Sequence, residues 1–143
     1  MTSAIIHKAH IAEHIQAIND AVAVGLDQRP ATIGLHASAC SISLLELYLH
    51  VIGKISTGTI IKHEWFKQPM PGQKVAPLAE RKIEAEFKDK DVILSLMYSI
   101  EECRNSLIYG KPTKSAVQEV YTSFQKLHDL IKARLKEKGE EIE

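Results

Sequence analysis

The stretch His36–His50, HASACSISLLELYLH, is apolar or small on nearly every side. A helix with that pattern is buried on several sides, so the fold is read outward from it. Ala37, Ser38, Ala39, Cys40 and Ser41 are small and allow a neighbouring helix to come close. The element runs from about Ala31 to Ile52. Arg29-Pro30 stands before it and Gly53 stops it.

On its N-terminal side, a first helix is predicted from Ser3 to about Asp27, behind a Thr-Ser cap. Ile11, Ile15, Ile18 and Val22 recur at three to four, and Gly25 is its stop signal. Beyond Gly53 the character changes. The run ISTGTIIKHEWFKQPMPGQK mixes β-branched residues, aromatics, Pro and Gly, and Pro69, Pro71, Gly72 and Pro77 exclude a continuous helix. It reads as an apolar excursion through Trp65-Phe66 and then an irregular loop. A helical turn or two follows in AERKIEAEF, and GTII forms at most a short extended piece. A third long helix, capped by Asp89 or Asp91, reaches about Tyr109 on a stripe of Ile93, Leu96, Met97, Ile100, Leu107 and Ile108. Gly110 suits a left-handed position after it, and Pro112 prevents continuation. Thr113 or Ser115 opens a fourth helix, striped by Val117, Val120, Tyr121, Phe124, Leu127, Ile131 and Leu135. The charged tail KEKGEEIE is expected to fray. These elements predict an all-α fold in a single domain, residues 1–143. It is an antiparallel up-and-down bundle of four main helices, plus a short extra helix in the middle loop.

The chain has 143 residues, 45% of them hydrophobic and 25% charged, which is enough apolar material for one buried core. Its formal net charge is zero. That argues against a nucleic-acid coat protein and against a polybasic membrane surface, because both need a positive excess. Cys40 and Cys103 are the only cysteines. Without a CxxC motif, they read as buried free thiols. No apolar run approaches the ~20 residues of a membrane span, and MTSAIIHKAH lacks the pattern of a signal peptide. A cytoplasmic protein with no membrane partner is expected.

The chemistry concentrates in EECRNSLIYGKP, Glu101–Pro112. Arg104 points along the apolar stripe of the third helix, between Ile100 and Leu107-Ile108. A guanidinium cannot shed its charge, so a buried one needs a partner. Glu46 is similarly placed among apolar neighbours on the second helix. The two are therefore expected to pair across the bundle. His7, His10 and His14 share one face of the first helix, read as a polar edge or a dimer seam. No metal site is expected, because the Glu-x-x-His pattern of di-iron bundles is absent. No cofactor is implied. His63, with Lys62 beside it, is a candidate acid or base with a phosphate contact. Lys111 and Lys114 stand beside Arg104 and a helix N-terminus, a place suited to an anion. Lys111 and Arg104 are thus the candidate nucleotide- or anion-binding pair.

The helix carrying Arg104-Asn105 with Gly-Lys-Pro after it, the upstream ELYLHVIGKI and the following IKHEWF together resemble the HEPN superfamily (higher eukaryotes and prokaryotes nucleotide-binding domain). The likeness is closest to small stand-alone archaeal-type members, and it spans about Ala37 to Phe124. It implies a helical domain that forms a homodimer. Many members are metal-independent RNases built on an Arg-Asn/Asp/His-x(3–4)-His motif. There the Arg steadies the phosphorane charge and the His is the general acid or base. Arg104 and Asn105 match that motif. Tyr109 stands where the His would be, and a phenol of reference pKa ~10 is a poor base near neutrality. In toxin–antitoxin pairs of this superfamily a nucleotidyltransferase partner modifies a Tyr with AMP, which makes Tyr109 a candidate acceptor.

Three readings follow. The missing His favours a non-catalytic HEPN-like module that dimerises and acts with a nucleotidyltransferase or other partner. The Arg-Asn pair favours a metal-independent endoribonuclease with a rearranged site of Arg104, Asn105, Tyr109 and His63. The lysines favour a nucleotide- or anion-binding regulator using Lys111 and Arg104.

Overall fold

A computed structural model describes residues 4–56 and 58–143. The fold is all-helical, and no strand occurs among the described residues. Four helices are long: α1 (Ala4–Val24), α2 (Pro30–Val51), α4 (Lys90–Ile108) and α5 (Lys114–Glu137). One is short, α3 (Leu78–Lys82), and a 3-10 turn spans His63–Phe66. The short helix falls where AERKIEAEF was expected to turn. The expected cap Thr2-Ser3 lies outside the described residues.

Each boundary has a local cause. α1 stops at Gly25, whose φ of +138° leaves the helical region. α2 starts on Pro30, whose fixed φ and missing N–H suit a first helical position. α5 is capped by Thr113, whose hydroxyl accepts the Ala116 amide at 3.0 Å. Asp89 does stand at the N-cap of α4, but it makes no side-chain cap bond there and adopts φ +64°. Its carboxylate instead binds the Arg134 guanidinium on α5 at 2.8 Å. Gly110 also differs from expectation. It is not among the left-handed glycines. Its constraint is space, because a Cβ there would lie 3.2 Å from the Ser106 Cα.

α2 is the hub. It packs on α1, α4 and α5, and α4 packs on α5. Its Ile33, Ala37, Cys40, Leu44, Leu45, Leu47 and Leu49 are fully buried. By length and composition α2 could cross a membrane, but 67% of its apolar window is packed inside the protein, as in a core helix. The Cys40 thiol is buried in it, which pushes its pKa up to about 12. The close approach falls at Gly34, outside the small run Ala37–Ser41, of which Ser38 and Ala39 line a cavity. A Cβ at Gly34 would lie 2.9 Å from Leu107 Cβ of α4.

Two of the α1 histidines meet histidines of α2. His7 stacks near His50 and His14 near His36, with ring centroids 5.4 and 5.1 Å apart. An early residue of α1 therefore meets a late residue of α2, and the two helices run in opposite directions. The tail is tethered too: Lys8 meets Glu140 at 2.6 Å and Ile142 packs against the core, so the expected fraying is not what is seen.

Candidate functional site

The irregular segment between α2 and α3 owes its path to two anchors. Glu46 of α2 accepts the Ile61 backbone amide at 3.1 Å. Phe66, at 1% exposure, plugs the core with Trp65 packed beside it. An unpaired amide in a non-repeating segment needs an acceptor, and Glu46 supplies it. The expected Glu46–Arg104 pair is therefore not formed. Burial raises the Glu46 pKa, and the Ile61 amide acts against that rise.

Between these anchors the chain presents His63. Its Nδ1 donates to the Glu101 carboxylate of α4, at 3.0 and 3.1 Å from the two oxygens. Glu101 is only 9% exposed. Burial pushes its pKa up, while the hydrogen bond from His63 and the charges of His63 and Arg104 pull it down. With Nδ1 committed to Glu101, Nε2 is the nitrogen left to exchange a proton with a ligand. It lies 3.0 Å from the carboxylate of Glu64.

Arg104 sits one turn further along α4 than Glu101. Its Nη1 donates to Asn105 Oδ1 at 3.0 Å. Its Nε is buried and meets no acceptor among the described residues, and no ion pair forms there. Arg104, Lys62, His63 and Glu64 line one open cavity of about 620 Å³. The opposite wall is α2, through Ser38, Ala39, Ile42 and Ser43, with His14 of α1 at one end. His14 Nδ1 is 2.9 Å from His36 Nδ1, so one of the two must be an unprotonated acceptor. Burial, then repulsion from His36, lowers the His14 pKa. The cavity thus holds a guanidinium with unused donors, an ammonium, a carboxylate-braced imidazole and a second, neutral imidazole. That set can bind a phosphate and move protons on two sides of it.

The sequence candidates divide. Arg104 and His63 come together. Asn105 touches Arg104 but faces a separate recess of about 290 Å³, lined by Lys67, Met70, Glu101 and Glu102 among others. Tyr109, at the end of α4, is 79% exposed and does not line the cavity; nor does Lys111. Lys114 pairs loosely with Asp27 at 3.6 Å. Glu101 is not among the sequence candidates, and His14 enters there only as part of a polar edge or dimer seam on the first helix. The available signal for Glu101 was its place beside Ile100 on the buried stripe.

Among the described residues no group of three or more His, Cys, Asp or Glu side chains could hold a metal ion. No protein-family model, no curated protein and no solved structure matches this chain.

Proposed function

We propose that this protein is a HEPN-like helical module, an antiparallel up-and-down bundle, that binds single-stranded RNA in the α2–α4 cavity and cleaves it without a metal. One observation carries the reading. A His braced by a buried carboxylate and an Arg with unused donors line the same cavity. His63 would supply the acid–base group missing from the Arg-Asn helix, where Tyr109 points to solvent.

The chemistry needs little else. The 2′-hydroxyl of the substrate attacks the adjacent phosphorus and the bond from phosphorus to the 5′-oxygen breaks. The hydroxyl proton passes to one imidazole, and the leaving oxygen takes a proton from the other. His14, kept neutral by burial, suits the first role. His63 Nε2 suits the second. Arg104 and Lys62 face the charge that grows on the phosphorane oxygens.

The test is incubation of a defined single-stranded RNA with purified protein in excess EDTA. Wild type and Tyr109→Phe should cleave equally. Arg104→Ala and His63→Gln should each lose about a hundredfold or more. Cleavage that persists in both variants, or that needs Tyr109, overturns the assignment.

A second reading is favoured by two other observations: Glu64 covers His63 Nε2, and Tyr109 is exposed. In it the module only binds, dimerises through exposed residues such as Leu35 and Ile60, and offers Tyr109 to a nucleotidyltransferase. RNA that binds but stays intact, with AMP transfer to Tyr109 by such an enzyme, would select this reading.

A further inference from the structure

The charges that line the cavity can be counted. Lys62 and Arg104 each bring one positive charge and Glu64 brings one negative charge; His63, with a proton on each nitrogen when it acts as the acid, is balanced by Glu101 behind it, so a single net positive charge remains. Glu101 lies behind the imidazole ring, hydrogen-bonded to it and outside the lining. Glu64 is the unusual member. It is 62% exposed at the mouth, and its one ionic contact among the described residues is His63, at 3.0 Å. Neither Lys62 nor Arg104 pairs with it. A carboxylate placed where a phosphate must approach weakens anion binding, unless its purpose is to discriminate among anions.

We propose that Glu64 makes the cavity selective for an internal phosphodiester, which carries one negative charge, over a terminal phosphate monoester, which carries close to two. The monoester has a second ionisation near pH ~6, so at neutral pH it brings a second charge within reach of Glu64, whose repulsion offsets the pull of Lys62 and Arg104 on that charge. A diester neutralises the lining charge and leaves only one oxygen near Glu64 to be accommodated. The interior of a strand is therefore preferred to its phosphorylated end. This inference rests on the reading of the cavity as a phosphate site.

The test compares two probes that differ by one charge and one methyl group, adenosine 5′-monophosphate and its methyl ester. Calorimetric titration at pH 7.5 and low salt should show wild type binding the ester more tightly, by about fivefold. Glu64→Gln, a substitution at an exposed position, should erase that preference by strengthening monophosphate binding. Lowering the pH to 5.5, where the monoester gains a proton, should narrow the difference in wild type but not in the variant. Equal binding of both probes by both proteins overturns the role of Glu64 and leaves the phosphate site standing. Failure of wild type to bind either probe at millimolar concentration overturns the phosphate site itself.

Discussion

Replacing Gly34 by Ala tests the contact on which the cavity walls depend. In most helix interiors this change stabilises, because Ala is favoured over Gly by about 1 kcal/mol. Here the new Cβ would fall 2.9 Å from Leu107 Cβ and 3.4 Å from Leu107 Cδ1 and Ile108 Cγ1. Relaxed carbon–carbon contacts lie at about 3.5–4.0 Å, so α2 and α4 must part by roughly half an ångström or more. The nearest atom is a Cβ fixed to the α4 backbone, so rotating a side chain cannot relieve the clash. Overpacking of this kind costs about 1–3 kcal/mol. Set against the helix-propensity gain, a net loss of roughly 1 kcal/mol is expected. In a domain of this size that lowers Tm by about 2–5 °C. Arg104 lies one turn before Leu107, so the proposed RNA binding should weaken as well. Thermal unfolding followed by circular dichroism measures the first effect. A Tm clearly above wild type would refute the close α2–α4 approach and, with it, the cavity geometry built on it.

Two further outcomes follow from the same packing. His7 is 3% exposed, and its pKa is lowered by burial and then by His50 and His10. The folded state therefore holds it neutral, while the unfolded chain takes up a proton below its ordinary pKa of 6.5. Stability should fall as pH drops through 6.5 and level off once the lowered folded pKa is passed. Glu46 and Glu101, with raised folded pKa values, contribute in the opposite sense above 4.5. The comparison is therefore made between proteins: the Tm loss from pH 7.5 to 5.5 should be smaller in His7→Leu than in wild type, and an equal loss would remove His7 as its source. Thr113→Ala removes the hydroxyl that caps α5 and should cost about 1 kcal/mol, read from urea unfolding at unchanged m-value.

The long helices were legible because their signals are local. Ile11, Ile15 and Ile18, or Val117, Val120 and Phe124, declare a buried face through spacing alone. The all-round apolar α2 likewise announced a core position, and Pro30, Gly25 and Thr113 marked ends by their own stereochemistry. The partnerships of the site were not local. Glu46 and Arg104 looked complementary, since each interrupts an apolar stripe with a charge of opposite sign. Side chains, however, are not the only partners on offer. A segment without repeating structure carries unpaired amides, and one of them, Ile61 N–H, claimed Glu46. The same tether delivers His63 to Glu101, a meeting of residues 38 positions apart that no periodicity encodes.

The release of Glu46 alters what Arg104 can be. A guanidinium placed for structure consumes its donors in acceptors around it, because an unmatched buried charge is costly. Among the described residues Arg104 spends one bond on its neighbour Asn105, forms no ion pair, and keeps a buried Nε without an acceptor. Its contrast within the same fold is Arg134, whose Nε likewise lacks an aligned hydrogen bond but which forms ion pairs with both Asp89 and Glu137. Arg134 holds α5 to the start of α4; Arg104 has donors left over and a cavity to point them into. An unsaturated Arg beside a carboxylate-braced His is an arrangement that a bound phosphate would complete, which is why removing Arg104 is expected to cost the proposed phosphate binding and cleavage far more than it costs the fold.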